Sequence, residues 1–181
     1  MNAGRVLRAD LIIATLALLI SGGATISSLY QTKVIANQLS SSVWPYLAIT
    51  SSTTTGQSYA LTVTNDGLGP ALVGSATLSL DGHALKRYRD GEVLLGKGVP
   101  KGAGVASASF SSIGPTTVIR AGEDFQVTSL RGSIMKYAGD LGRRAQLAVC
   151  YCSLLGQCWT VKGQEPRVTV SDCASHAGID Y

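Results

Sequence analysis

Hydrophobic and polar positions along this chain follow three successive patterns. Residues 11–30 are apolar and carry no charge. About twenty residues rising 1.5 Å each cover the ~30 Å hydrocarbon core of a bilayer, so this segment predicts one transmembrane helix. Nothing later in the chain is apolar over a comparable length. Ile35, Leu39 and Val43 then recur at i, i+4 and i+8, carrying helical periodicity into a short polar stalk over residues 31–43. Trp44-Pro45 stops it, because proline offers no amide proton and holds the residue before it extended.

From residue 46 the period becomes two. Residues 46–52 alternate into a first strand, and residues 58–64 place Tyr59, Leu61 and Val63 on one face with Thr62 and Thr64 opposite. Residues 65–70, Asn-Asp-Gly-Leu-Gly-Pro, are a dense turn signal, and residues 71–80 alternate again up to Asp81-Gly82. Residues 83–95 are expected to contain a helical turn built on Ala84, Leu85 and Tyr88. Strands follow at 116–119 and 125–130 around a turn at 120–124, while 133–141 fits neither period. Residues 146–153 and 158–162 pair as a hairpin over 154–157, and 167–171 give a last strand before a tail, 174–181. Seven or eight short strands with such turn spacing predict a mainly β fold, a two-sheet antiparallel sandwich.

Arg5 and Arg8 precede the apolar segment and only Lys33 follows it closely. The positive-inside rule then keeps residues 1–10 in the cytoplasm and exports the rest. The same segment admits a second reading as a cleaved secretory signal, with Gly22-Gly23-Ala24 as the cleavage site. Ile26, Leu29 and Tyr30 continue the apolar character past that site, which favours an uncleaved anchor in a bacterial inner membrane. Gly22, Gly23 and Ser27 are the small residues through which such a helix packs on another. The first 149 residues contain no cysteine, which excludes lipidation at an N-terminal cysteine.

Charge alters this picture little. Charged residues make up 14% of the chain, and the formal charge is +4. After the span, 13 Lys and Arg stand against 10 Asp and Glu, a balance of +3. Lys86-Arg87 with Arg89 is the one basic cluster, with no interleaved aromatics, so nucleic acid is not an expected partner. The expected partners are the lipid bilayer and other integral membrane subunits.

The run Ser42-Val43-Trp44-Pro45-Tyr46-Leu47 a dozen residues after a single span, followed by Val63-Thr64-Asn65-Asp66-Gly67-Leu68-Gly69-Pro70-Ala71, resembles a group of short bacterial single-pass membrane proteins. The Asn-Asp-Gly turn also resembles those of immunoglobulin-like cell-surface modules. The resemblance covers roughly residues 10–82 and the Cys-Tyr-Cys hairpin. It implies an extracytoplasmic immunoglobulin-like β-sandwich over residues 44–173 and brings no catalytic residues.

All four cysteines, Cys150, Cys152, Cys158 and Cys173, fall in the last 32 residues. In an oxidising compartment an even count reads as disulfides. Cys150 and Cys152 project to one sheet face, and Cys152 and Cys158 flank a five-residue loop. A bridge across the hairpin mouth leaves Cys150 to tie the last strand through Cys173, worth about 3 kcal/mol by loop closure. The competing reading is a metal site. Cys150, Cys152, Cys158 and His176 would offer soft ligands to Cu(I) or Zn. Cys150-Tyr151-Cys152-Ser153 is similar, in its Cys-aromatic-Cys core, to the motif of single-span copper chaperones of cytochrome oxidase assembly. It lacks their second aromatic. Trp159, beside Cys158, resembles the tryptophan that packs on the disulfide of immunoglobulin-like cores.

Several stretches imitate catalytic motifs. Gly91 to Lys97 matches the start of a phosphate-binding loop, but Gly98 replaces the hydroxyl that a magnesium ion needs. Glu123-Asp124 reads as a turn before it reads as an acid/base pair. His83 follows a turn glycine, and no nucleophile elbow or zinc-protease motif occurs. The expectation is a non-enzymatic accessory or assembly subunit of a larger membrane complex, with no cofactor and no small-molecule substrate. The alternative is a Cu(I)-handling chaperone using the Cys150-x-Cys152 motif.

Overall fold

The computed structural model describes residues 3–54, 56–87, 90–91, 100–105, 107–137 and 139–173. Arg89, most of the phosphate-loop-like run, and the tail with His176 lie outside the described residues. The chain divides into two units, Met1–Ser42 and Val43–Tyr181.

The first unit is a single helix, α1 (Ala3–Ser42). Within it Leu11–Leu39 contains a stretch long and apolar enough to cross a membrane, by length and composition. The hydroxyls of Thr15, Ser21, Thr25 and Thr32 donate to carbonyls three or four residues back along the helix. Polar groups satisfied inside their own helix are compatible with a hydrocarbon surround. A Cβ added at Gly22 or Gly23 would meet nothing within 4 Å.

The second unit is mainly β and wholly antiparallel. One sheet has the order β1 (Leu47–Thr54), β2 (Ser58–Asn65), β7 (Asp124–Arg131), β5 (Ser107–Phe110). The other runs β10 (Val168–Val170), β9 (Cys158–Lys162), β8 (Ala145–Cys152), β3 (Ala71–Leu80), β4 (His83–Ala84). A further short strand, β6 (Val118–Ile119), pairs with the first residues of β3. A 3-10 turn (Ser133–Lys136) lies in the region that fitted neither period, and a four-residue helix, α2 (Leu141–Arg144), begins at its end.

Alternation decides which face is inside. Tyr59, Leu61 and Val63 of β2, Leu147, Val149 and Tyr151 of β8, and Trp159 and Val161 of β9 join one buried core fed by both sheets. The backbone N–H of Leu47 on β1 donates to the Tyr151 hydroxyl on β8 at 3.3 Å, a buried bond from one sheet to the other. Residues 83–84 are strand; of the segment 83–95 expected to contain a helical turn, residues 90–91 are helical and Tyr88 lies outside the described residues. Asp81 and Gly82 both adopt positive φ (52° and 79°), which builds the tight hairpin that folds the chain back on β3.

Candidate functional site

Two side-chain constellations stand out in the β unit. The first is a sulfur cluster on the outer face of the β8–β9 sheet. Because strand side chains alternate, Cys150 and Cys152 face away from Val149 and Tyr151, which enter the core. Cys150 is bridged to Cys173, and Cys152 to Cys158, which is its direct cross-strand partner. Hairpin geometry had pointed to the same pairing. The two bridges touch: Cys152 Sγ lies 3.7 Å from Cys173 Sγ.

What lets the chain around Cys173 lie on this face is Gly74 of β3. A Cβ there would sit 2.3 Å from the Cys173 Cβ, so only glycine leaves room. Gly74 also falls where the β3–β8 register shifts, between Val73 and Ser75. The sequence signal was an isolated glycine inside an alternating strand.

Cys152, Cys158 and Cys173 bring their sulfurs within 4.8 Å of one another. Metal ligation needs thiolates, and here all four cysteines are bonded in pairs. The three converging sulfurs also differ from the sequence-derived set, in which Cys150 stood in place of Cys173. Trp159 does not pack on a disulfide. It points to the opposite face of β9 from Cys158 and lies against Tyr151, ring centroids 5.8 Å apart.

The second constellation surrounds residues 43–46, where the chain joins the β unit. Asn65 is fully buried and its amide is saturated. Its Oδ1 accepts from the N–H groups of Tyr46 (3.1 Å) and Gly67 (3.0 Å), and its Nδ2 donates to the carbonyls of Gly69 (2.8 Å) and Ile119 (3.0 Å). One side chain thus ties the first strand, the β2–β3 turn and β6 together. The turn glycines are steric necessities, since a Cβ at Gly67 would lie 2.4 Å from the Tyr46 nitrogen and one at Gly69 2.0 Å from the Val43 carbonyl oxygen. Asn65 had read as a turn residue. The signal for its inward role was the β2 alternation itself, in which positions 59, 61, 63 and 65 share the buried face.

Arg167 completes this region. Its guanidinium carbon lies 4.0 Å from the Trp44 ring centroid, 4.8 Å from Trp159 and 5.1 Å from Tyr46. The same group donates to the Pro45 carbonyl at 3.1 Å. An arginine among three aromatic faces anchors them through its charge and its planar stacking surface.

The remaining catalytic lookalikes are spent on structure. Glu123 accepts from the backbone N–H of Arg120 (2.7 Å), and Asp124 accepts from the Thr64 hydroxyl (2.6 Å), so both carboxylates brace the turn. His83 is exposed on β4. A groove of about 570 Å³ lined by Thr53, Ser58, Tyr59, Lys136, Asp140 and Leu141 holds no nucleophile paired with a base among the described residues. No protein-family model, no curated protein sequence and no solved structure matches this chain.

Proposed function

We propose that this chain is a membrane-anchored, extracytoplasmic and non-enzymatic subunit that works by contact, as an accessory or assembly component of a larger bacterial membrane complex. The observation that carries the reading is one N-terminal helix long and apolar enough to span a membrane, followed in the same chain by a small β unit stapled by two disulfides. Disulfides persist in oxidising compartments, which agrees with export beyond the cytoplasmic membrane. The described polar clusters serve packing and turn geometry, which is the chemistry of a scaffold.

Strand order supports an immunoglobulin-like sandwich within this reading. The order β1-β2-β7-β5 in one sheet and β9-β8-β3 in the other corresponds to ABED and GFC. The bridges depart from antibody domains, since they lie on the outer face of one sheet instead of joining the two. Gentle detergent extraction at native expression should co-purify membrane proteins in fixed stoichiometry; a clean monomer would overturn the proposal.

A second reading, Cu(I) handling, is favoured by the convergence of the Cys152, Cys158 and Cys173 sulfurs within 4.8 Å. It requires both bridges to be reduced, after which soft thiolates would hold the ion as cargo. Metal analysis of the reduced protein decides it: no bound copper after reduction removes this reading.

A further inference from the structure

The sulfur cluster on the outer face of the β8–β9 sheet is built for more than two separate staples. Cys150, Cys158 and Cys173 are buried, whereas Cys152 is half-buried. A thiol arriving from solvent therefore meets the Cys152–Cys158 bridge at Cys152. Behind that bridge, Cys152 Sγ lies 3.7 Å from Cys173 Sγ, a sulfur of the other bridge. The sulfurs of Cys152, Cys158 and Cys173 all fall within 4.8 Å of one another. Disulfides exchange when a thiolate attacks a bonded sulfur and displaces its partner. A thiolate at Cys152 would thus stand beside its target.

The surroundings of the other two sulfurs match the product of that attack. Cys150 Sγ lies 4.0 Å from the Asp172 carbonyl oxygen, and Cys158 Sγ lies 3.6 Å from that of Gly156. A disulfide sulfur has no proton to give these oxygens, whereas a thiol S–H is a weak donor to them. Thr160 on β9 stands directly opposite Cys150, and its buried hydroxyl has no partner among the described residues. Side chains so opposed have Cβ atoms about 4.5–5.5 Å apart, within reach of a hydrogen bond from the hydroxyl to a Cys150 thiolate. A buried hydroxyl left without a partner calls for a reason, and a thiolate that forms only on exchange supplies one.

We propose that the four cysteines form a thiol–disulfide exchange site, which accepts one electron pair from a dithiol and moves the surviving bridge to Cys152 and Cys173. The dithiol's first thiolate attacks Cys152 Sγ. A mixed disulfide forms, the Cys152–Cys158 bond breaks, and Cys158 leaves with the electron pair and takes up a proton. The second thiolate attacks the dithiol's own sulfur in the mixed disulfide, which closes the partner's disulfide and releases Cys152 as a thiolate. Cys152 then attacks Cys173 Sγ. The Cys152–Cys173 bond forms, the Cys150–Cys173 bond breaks, and Cys150 leaves as a thiolate beside Thr160 before it is protonated. In sum one dithiol is oxidised, one of the chain's two disulfides is reduced, and the two protons of the dithiol end on Cys150 and Cys158. The exchange takes one electron pair per molecule, so the chain is a stoichiometric acceptor. Residue 173 stays bonded to β8 at the start and at the end.

The full chain in detergent is treated with a limiting amount of dithiothreitol, sampled at intervals and trapped with N-ethylmaleimide in acid. After unfolding, chymotryptic cleavage behind Tyr151 separates Cys150 from Cys152, so mass spectrometry reads which pair is still bonded. Molecules that keep one disulfide should hold it between Cys152 and Cys173 in several-fold excess, with Cys150 and Cys158 alkylated. Retention of Cys150–Cys173 with Cys152 and Cys158 alkylated would overturn the exchange. So would loss of both bridges with no one-disulfide form along the way. Thr160→Val should slow the appearance of the Cys152–Cys173 form several-fold, and Thr160→Ser should restore it; equal rates in all three would overturn the part given to Thr160.

Discussion

Where the chain joins the β unit, residues 43–46 are enclosed by Gly67, Gly69 and Asn65, and every hydrogen-bonding position of the Asn65 amide is used. At the far end the most prominent tie is an ion pair, Arg144 to Asp81 at 2.6 Å, standing largely in water. The first end is held by steric fit and buried polar saturation, which are intolerant of change. The second is held by a solvated pair, whose net contribution is small because water and salt compete for both partners. Position on the same sheets thus gives two very different sensitivities to mutation.

The largest effect is expected from Gly69→Ala. A Cβ at 2.0 Å from the Val43 carbonyl oxygen meets backbone on a residue that cannot turn aside. A loss of more than about 4 kcal/mol in urea unfolding is expected, beyond the ordinary range for single substitutions. A variant that unfolds with the wild type would break the comparison at its strongest point. Asn65→Ala comes next. It strands the N–H groups of Tyr46 and Gly67 and the carbonyls of Gly69 and Ile119, a loss of about 3 kcal/mol. Asn65→Asp should fare no better, because a carboxylate cannot donate to those carbonyls.

Toward the far end, Tyr59 sharpens the contrast through pH. Burial pushes its phenol up from 10.0 to about 12, and its hydroxyl has no partner among the described residues. The folded state keeps that proton longer than the unfolded chain does. Its contribution is therefore complete below pH 10 and is lost as pH rises toward 12, on the order of 2–3 kcal/mol. Tyr59→Phe should flatten the alkaline limb of the stability profile and leave neutral stability equal or higher. An unchanged limb would show that another group governs it.

The smallest effect belongs to Asp81→Asn. The hydrogen bond from Arg144 holds the Asp81 carboxyl below its usual range. Stability from it is present above the ordinary carboxylate range and fades as pH falls through the depressed value. The shift in unfolding midpoint should be the least of the four and disappear in high salt. A shift rivalling that of Asn65→Ala would erase the distinction between the two ends.

Local periodicity made much of this fold legible. The strands at 71–80 and 158–162 have the bounds expected from sequence, and β1, β2, β7 and β8 differ by one or two residues at either end. Strand β5 was missed because Ser-Ala-Ser-Phe is almost entirely exposed and shows no apolar alternation. The roles of Gly74, Asn65 and Arg167 were missed for a different reason. Each is defined by a neighbour far away in sequence: Cys173 for Gly74, Ile119 for Asn65, Pro45 and Trp44 for Arg167. A period describes one strand at a time and carries no record of which strands meet. The cysteines were legible because parity and a five-residue loop are local facts, whereas the contact between the two bridges follows from the packed structure.

The clamp of Arg167 on Pro45 and Trp44 also sets a timetable. The two partners of that hydrogen bond are 122 residues apart, and the Leu47–Tyr151 bond spans 104. A ribosome working at about 5–20 residues per second needs several seconds to deliver the later partner after the earlier one. During that interval residues 43–47 wait without the groups that fix them. The helix–domain junction is therefore among the last parts of the β unit to become ordered, although its residues are the first of that unit to be made.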